Sequence, residues 1–447
     1  MRQTRSLLEN SLIFGTLALL VWLPLPMGSN RVWAGALFCL VAAALTIGWG
    51  LLQLQKHESH NRALKPALPL LGLLLLTQLW VLLQWLLGLT TDVGRTLYYL
   101  MLGLGYSCLF ILVVGLFHTR RRLTLLVSVL VISATLQAFY GTFMTLSGIE
   151  WLLFEPKVHN RGVVTGTFVN RNHLAGYMVM ALGCGIGLLM ALRDGSPLRW
   201  RSLLDMLMGP KARLRLALVI MVIALVMTRS RMGNTAFFAA LLIIGGLFIL
   251  LNKEHRLRNG LILASLIVID VLVISQFFGL EQLKDRLVTT QIEDRIEDGV
   301  VVQQKNVVRT DVFAYALQQL EDRPLTGFGA GAFESSFQQY PGPELRGHYD
   351  HTHNDYLQFL IEYGLIGTLP LAAFVLLALN HALRALWHRQ SWYRSGLGFG
   401  VSMALLGLLI HSFADFNLQI PANAATFVVI CAIGLQARYH RKTKHRN

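Results

Sequence analysis

The stretch Val32–Leu54, VWAGALFCLVAAALTIGWGLLQL, decides the class of fold, because it contains no charged side chain over a length that can cross a bilayer. A hydrocarbon core of about 30 Å needs roughly 20 consecutive apolar residues in helical form. Similar blocks recur along the chain, at Ser11–Met27, Ala67–Leu89, Arg95–Phe117, Leu123–Ser147, His173–Leu192, Leu214–Met227, Thr235–Leu251, Gly260–Phe278, Asn354–Leu379, Gly396–Phe413 and Pro421–Gln436. The blocks predict an all-α integral membrane protein with about twelve transmembrane helices.

The composition agrees with this class. Of the 447 residues 54% are hydrophobic and only 14% are charged, whereas soluble domains carry about 25% charged residues. Mean hydropathy is +0.53. The four cysteines lie inside apolar blocks, which indicates buried thiols rather than disulfide bonds or metal ligands. These features exclude soluble globular, disordered and disulfide-stapled proteins.

The basic residues indicate the orientation of the helices. Most of the 39 Lys and Arg residues lie before the first block, after the last block, and in the connections between alternate pairs of blocks. Short cytoplasmic segments are enriched in Lys and Arg, so both termini are predicted to be cytoplasmic. The basic segment Arg438–Arg446 is expected to contact anionic lipid, and no nucleic-acid partner is predicted.

The blocks form a single polytopic membrane domain, residues 1–447, that contains one large insertion at residues 279–352, between the ninth and tenth helices. The charge pattern places this insertion outside the cytoplasm. Asp270 lies in the middle of the ninth block, where an acid is costly. We interpret it as a hydrogen-bonding partner of a neighbouring helix, because a proton relay normally needs several such groups.

The insertion ends in GHYDHTHNDYL, residues 347–357, where histidines offer a general base at neutral pH. Two other interpretations remain open at this point. His351, His353 and Asp355 alternate along the chain and would share one face of a strand, as a metal site requires. Alternatively, Asn354 or Asp355 caps the tenth helix. Glu362 lies two turns further along the same helical face and is a candidate to orient a histidine.

Two arginine-containing clusters are predicted on the same side of the membrane, at 161–173 and 228–234. Such arginines can bind lipid phosphate at the interface, but several together would suit the pyrophosphate of a ligand. Within the insertion, apolar residues at three- and four-residue steps over 308–320 predict an amphipathic helix. The alternating glycines at 327, 329 and 331 follow a helix rather than a strand, so they indicate a tight turn and not a dinucleotide site.

Four short motifs in order resemble the O-antigen ligase and polymerase superfamily of membrane glycosyltransferases, and its O-antigen ligase branch in particular. They are FVNRNHLAG at 168–176, Ser230-Arg231 before a helix, the Arg309 helix leading into PLTGFGAGAF at 324–333, and HNDYL at 353–357 with Glu362 and Gly364. The resemblance implies an inverting, metal-independent enzyme without a cofactor in the inner membrane of Gram-negative bacteria. It implies transfer of a glycan from undecaprenyl diphosphate to the lipid A–core oligosaccharide on the periplasmic side, which completes lipopolysaccharide.

The resemblance and the chemistry together assign candidate site residues. His353 is predicted to be the general base, with Arg231 and Arg309 as catalytic cations for the leaving diphosphate. Residues predicted to bind substrate are Arg161, Arg171, Asn172, Arg229, Arg323, Arg346, His351, Asn354 and Tyr356. No metal ligand is assigned.

Three alternatives remain open. A polymerase of the same superfamily would use another repeat unit as acceptor, and a protein O-oligosaccharyltransferase would use Ser or Thr. The latter type commonly has an extra hydrophilic domain after the last helices, so the short basic tail is expected to argue against it. A lipid-linked glycan transporter is the non-enzymatic alternative, which predicts repeated halves and broken helices near the midplane.

The topology predicts the accessibility of a cysteine introduced at Gln303. In Gln303→Cys the new thiol is expected to react with a membrane-impermeant reagent added outside the inner membrane, because the insertion is predicted to be periplasmic. The parent protein, whose four cysteines lie in apolar blocks, is the control. Labelling only from the cytoplasmic side would contradict the predicted orientation.

Overall fold

The structure is a computed structural model. It describes residues 2–54, 61–192, 210–251, 256, 260, 264, 295–297, 300–303, 309–341, 349–388 and 391–439. Side chains are described for these residues except 2–6, 210–211, 295–303 and 309–311.

The chain is an all-α integral membrane protein, as predicted. Its helices are α1 Arg2–Trp22, α2 Val32–Leu54, α3 Leu64–Leu86, α4 Val93–Leu116, α5 Arg120–Ser147, α6 Arg171–Ala191, α7 Pro210–Met227, α8 Arg231–Leu251, α9 Arg309–Asp322, α10 Phe333–Phe337, α11 Asp355–Leu386, α12 Trp392–His411 and α13 Pro421–Tyr439. Within the described residues, nine of these are long and apolar enough to span a membrane. The predicted ninth helix, Gly260–Phe278 with Asp270, lies almost wholly outside the described residues.

Several helix ends differ from the predicted blocks for physical reasons. The first block was predicted to reach Met27, but α1 ends at Trp22. Pro24 and Pro26 follow, and proline lacks the N–H that a continuing helix needs. In contrast, α11 was predicted to end at Leu379 and extends to Leu386, through Pro370. The amphipathic helix predicted over 308–320 is confirmed as α9.

In the part of the chain that the structure describes, strands are confined to two short hairpins. Trp151–Leu152 (β1) pairs antiparallel with Glu155–Pro156 (β2), in the connection between α5 and α6. Arg295–Glu297 (β3) pairs antiparallel with Val300–Gln303 (β4), within the predicted insertion.

Helix α6 is the centre of the bundle, because its residues from Asn172 to Ala191 are all buried. It packs against α5, α7, α8 and α13, and most extensively against α12. Small residues permit this close approach: Gly183, Gly187 and Ala191 on α6 face Ala404, Gly400 and Gly396 on α12. Small residues spaced by four are the usual means by which membrane helices bring their backbones into contact.

One end of the bundle collects the polar residues. Helices α6, α8 and α11 begin there and α12 ends there. Two contacts show this: Asp355 N at the start of α11 donates to Ser412 O at the end of α12, and Gly233 on α8 lies beside Ala175 on α6. We call this end the histidine end. Helices α9 and α10 cover the first turns of α11 through an apolar cluster that includes Val312, Phe337 and Ile361.

The α6–α12 contact predicts a strong effect of Gly187→Val. A Cβ at Gly187 would lie 2.5 Å from Gly400 Cα, and backbone atoms cannot turn aside as a side chain can. Overpacking of this kind costs about 1–3 kcal/mol, so the thermal unfolding midpoint in a fixed detergent is expected to fall. Gly72→Val is the matched control, because a Cβ at Gly72 meets nothing within 4 Å. Equal losses in both variants would contradict the packing account.

Candidate active site

The segment before α11 is held in place by reciprocal hydrogen bonds. Asn354 is the N-cap of α11, and its Oδ1 accepts from Leu357 N at 3.1 Å. Thr352 Oγ1 accepts from Asn354 N at 3.1 Å and donates to Asn354 O at 2.7 Å. The cap interpretation of Asn354 is therefore confirmed, and the helix start at Asp355 breaks the strand-like face on which the metal interpretation depended.

His353 lies between these two fixed residues in a left-handed backbone conformation, with φ +56°. Such a conformation is uncommon outside glycine, and it costs of order 1–3 kcal/mol unless the surroundings impose it. Here the Thr352 and Asn354 hydrogen bonds impose it. The consequence is that the half-buried imidazole of His353 leaves the chain in a direction that helix geometry would not provide.

Three imidazoles surround the ring of Phe416, in the connection between α12 and α13. The ring of His351 stacks on it at 4.2 Å between centroids, while His173 and His353 contact it edge-on at 4.6 and 4.9 Å. Phe416 is itself buried. One apolar ring thus fixes the relative positions of three imidazoles.

His351 is joined to Glu362 through Gln358. Gln358 Nε2 lies 3.2 Å from His351 Nδ1 and donates to Glu362 Oε1 at 2.7 Å. Burial lowers the pKa of His351 to about 4; Asp350 opposes this shift, and His173 adds to it. The prediction that Glu362 orients a histidine holds for His351, through Gln358.

Glu362 is positioned by a break in α11 two residues later. Gly364 has φ +62° and ψ −177°, a conformation open in practice only to glycine. The carbonyls released by the break accept hydrogen bonds from other donors. Phe328 N donates to Ile361 O at 2.9 Å, and Gly329 N donates to Glu362 O at 3.0 Å.

The other groups at this break are satisfied by the loop at 324–333 and by α3. Leu365 N and Ile366 N donate to Pro324 O and Leu325 O, at 2.9 and 3.2 Å. Trp80 Nε1 donates to Tyr363 O at 2.7 Å. The alternating glycines thus serve to bring a loop backbone against a broken helix, which agrees with the turn predicted for them.

The same loop supports the Glu362 carboxylate directly. Gly331 N donates to Glu362 Oε2 at 2.9 Å, and Glu362 is only 1% exposed. The loop is held from its other side by α4 and the residues before it, where Thr96 Oγ1 donates to Ala330 O and Thr91 N donates to Phe328 O.

Two acids at the histidine end were not assigned as site residues from the sequence. Asp415 Oδ1 lies 3.6 Å from His173 Nε2, and both side chains are buried. Asp355, also buried, accepts from Ser412 Oγ at 2.8 Å and from Leu418 N, so its oxygens join α11 to the end of α12. The one local signal that could have indicated Asp415 is its position among polar residues between the blocks Gly396–Phe413 and Pro421–Gln436.

The turn between α7 and α8 carries two of the predicted arginines. Thr228 Oγ1 accepts from Ser230 N at 3.1 Å, and Ser230 Oγ accepts from Gly233 N at 3.3 Å. Arg229 adopts φ +53° within this turn, and the exposed Arg231 is the first residue of α8. The turn therefore directs Arg231 outward at the histidine end.

The connection between α5 and α6 carries Arg161 and Arg171. An ion pair between the buried Lys157 Nζ and the partly buried Glu150 Oε2, at 2.8 Å, shapes this connection. Arg161 is exposed and donates from Nε to Lys157 O at 2.8 Å. Arg171 is the first residue of α6, and its neighbour Asn172 is 8% exposed.

The remaining predicted residues have diverse surroundings. Arg323 donates to Leu89 O at 2.8 Å and lies over the Phe328 ring, so structural contacts already occupy its guanidinium. Tyr356 donates to Leu409 O at 2.8 Å, which joins α11 to α12. Arg309 is the first residue of α9, with its side chain outside the described part, and Arg346 lies wholly outside it.

The histidine end thus combines imidazoles with helix N-termini that carry arginines. Arg171 and Arg231 begin helices there, and Arg309 begins α9, whose Val312 packs against the first turns of α11; backbone N–H groups at helix N-termini also attract anions. Among the described residues, no three His, Cys, Asp or Glu side chains are grouped to hold a metal ion. Metal independence itself stays a prediction. The arrangement suits proton removal beside a binding site for an anionic leaving group.

Comparison with known proteins identifies one family. The model of the family described as O-antigen ligase matches residues 216–372, which include α8, α9, the glycine loop and the first half of α11. No curated protein sequence matches the chain. The match confirms the resemblance to the O-antigen ligase family and includes three of the four motifs; FVNRNHLAG at 168–176 lies before the matched residues.

The break in α11 predicts that Gly364→Ala destabilises the protein and impairs the site. A Cβ would meet Leu325 O, and the backbone strain alone costs about 1–3 kcal/mol. Gly88→Ala is the control, because Gly88 also has a positive φ, +66°, with nothing within 4 Å. A larger fall in thermal unfolding midpoint is expected for Gly364→Ala; equal falls would mean that the loop contact is unimportant.

Proposed function

We propose that this chain, whose residues 216–372 match the O-antigen ligase family, transfers a glycan from undecaprenyl diphosphate to a hydroxyl of lipid A–core, with inversion, on the periplasmic side of the bacterial inner membrane. The observation that carries the proposal is the position of His353. Its left-handed backbone places a half-buried imidazole at the end of the bundle where helices headed by arginines begin.

In the proposed reaction, His353 accepts the proton of the acceptor hydroxyl. The acceptor oxygen attacks the anomeric carbon from the side opposite the diphosphate, and the bond from that carbon to the diphosphate oxygen breaks. The products are the glycosylated acceptor, undecaprenyl diphosphate and a protonated His353, which then releases its proton to water. A positioned base of this kind contributes about 10²- to 10⁴-fold to the rate.

The arginines at the starts of α6, α8 and α9 are proposed to bind the leaving diphosphate. Charge grows on that group as the glycosidic bond breaks, so fixed cations stabilise the transition state more than the ground state. A guanidinium suits this task because its planar fork matches phosphate oxygens and it stays charged.

Both substrates are lipids, so the site must be reached from the bilayer. An apolar groove of about 400 Å³ lies between α5 and α7, lined among others by Phe139, Phe143 and Ile220. It extends to Leu146 and Ser147 at the end of α5, and α7 ends only a few residues before Arg229. An isoprenoid chain in this groove would bring its diphosphate towards the arginines.

The ligase activity is favoured over polymerisation by the description of the family that matches, O-antigen ligase. The discriminating experiment uses purified protein with undecaprenyl-diphosphate-linked glycan and either lipid A–core or a second repeat unit as acceptor. Transfer to lipid A–core without ATP supports the proposal. Transfer only to the repeat unit would indicate a polymerase, and donor movement across vesicles without transfer would indicate a transporter.

His353→Ala is expected to lower transfer by about 10²- to 10⁴-fold without loss of donor binding, because only the proton-accepting group is removed. His351→Ala is expected to lose less. Transfer is measured with purified variants, with and without EDTA. Full activity in His353→Ala would remove it from the mechanism, and chelator sensitivity with equal losses at His351, His353 and Asp355 would favour the metal interpretation instead.

Arg231→Ala and Arg309→Ala are each expected to lower transfer by about 10²- to 10³-fold, the usual loss for one transition-state charge contact. Arg31→Ala is the control, because Arg31 is exposed and lies just before α2, close to the Gly28 turn that contacts Phe168 at the histidine end. A similar loss in all three variants would indicate general electrostatic attraction rather than a specific site for the diphosphate.

A further inference from the structure

The amide of Gln358 can have only one orientation. Its Oε1 accepts from Thr352 N at 2.8 Å, and its Nε2 donates to Glu362 Oε1 at 2.7 Å. Exchanging the two ends would set an NH₂ group against the Thr352 N–H. It would also set a carbonyl oxygen against a carboxylate oxygen. Both contacts would then be repulsive, so the hydrogen-bond network fixes the assignment.

This orientation determines the tautomer of His351. An amide NH₂ has two protons; Glu362 takes one, and the second points to His351 Nδ1 at 3.2 Å. Nδ1 must therefore be an acceptor, because a donor there would face another donor. In a neutral imidazole the proton then lies on Nε2. The Nε2–H of His351 is therefore available to donate a hydrogen bond, and Nε2 cannot accept a proton as a base would.

The surroundings of His351 keep it neutral. Its ring stacks on Phe416, with His173 and His353 against the same ring and Asp350 as its neighbour in the chain. Burial is the main cause of its low pKa, about 4, so the ring does not gain a second proton near neutral pH.

We propose that His351 is an acceptor-binding residue, whose Nε2–H donates a hydrogen bond to an oxygen of the acceptor sugar beside the hydroxyl that His353 deprotonates. The assignment to the acceptor rests on the proposed function. In a displacement with inversion, the base and the leaving group lie on opposite sides of the anomeric carbon. A donor that shares Phe416 with the base is therefore on the acceptor side.

The tautomer can be measured on the unaltered protein, without any activity. The protein is labelled with ¹⁵N-histidine in lipid bilayers, and the His351 signals are assigned by their loss in His351→Gln. We expect a protonated Nε2 and an unprotonated Nδ1 that stay unchanged between about pH 5 and 8. A protonated Nδ1, or titration within that range, would overturn the proposal.

The kinetic test separates binding of the acceptor from proton transfer. His351→Ala is expected to raise the KM for lipid A–core about three- to tenfold, the value of one neutral hydrogen bond, while the KM for the donor and the acid limb of the pH profile stay unchanged. His351→Gln keeps an N–H donor and is expected to recover part of the loss.

Other outcomes have distinct meanings. A loss confined to kcat in His351→Ala, or a shift of the acid limb, would make His351 the base and overturn the assignment. Full activity in His353→Ala, with the Nε2–H tautomer still observed, would refute the proposed role of His353 while leaving the state of His351 established. Gln358 is the positioning residue in this proposal, because its Nε2 contacts His351 Nδ1. Gln358→Met removes that contact, so the ¹⁵N spectrum is expected to show both tautomers of His351.

Discussion

The fold of the site depends on one constraint: backbone polar groups released by a broken membrane helix must find partners. The break in α11 at Gly364 frees carbonyls at Ile361, Glu362 and Tyr363, and the glycine loop and α3 supply donors to all three. Without water to replace them, each such group left unpaired would cost several kcal/mol. The loop is therefore required to lie where it does, and its Gly331 N–H reaches the Glu362 carboxylate.

A chain of contacts leads from Glu362 to the histidines of the candidate site. Glu362 fixes Gln358, Gln358 fixes His351, and the ring of Phe416 fixes His351 relative to His353. Neighbouring imidazoles can then have opposite roles on one aromatic ring. The role of each follows from its hydrogen bonds and not from its residue type, as is usual where a histidine is oriented by a second group.

The sequence predicted elements that depend on local pattern. Block Val32–Leu54 has the same bounds as α2, and the three- and four-residue apolar steps located α9. Asn354 as a cap is also a local feature, since its acceptor group serves an N–H three residues away. These predictions succeeded because helix formation and capping involve residues close in sequence.

Most contacts that were not predicted from the sequence join residues far apart in the chain. His173 lies beside Asp415, and Asn423 Nδ2 donates to His173 O. The contact of Gln358 with Thr352 is closer in sequence, but it forms only because the cap turns the chain back. A single sequence does not show which of its distant residues are neighbours in space. The role of Phe416 was equally hidden, because one phenylalanine among 23 has no local mark. Asp270 lies outside the described residues, so its interpretation stays a prediction.

The break at Gly364 has a mechanical consequence. A membrane that thickens or thins changes the tilt of the helices within it, at a cost of fractions of a kcal/mol per Å of mismatch. In α11 the long segment after Gly364 is the part that must tilt when the bilayer thickness changes. The segment Asp355–Tyr363 is instead hydrogen-bonded to the glycine loop and to α12. The two parts need not tilt together. The histidine end is thereby insulated from bilayer thickness, and the geometry of its imidazoles is expected to be the same in thin and thick membranes.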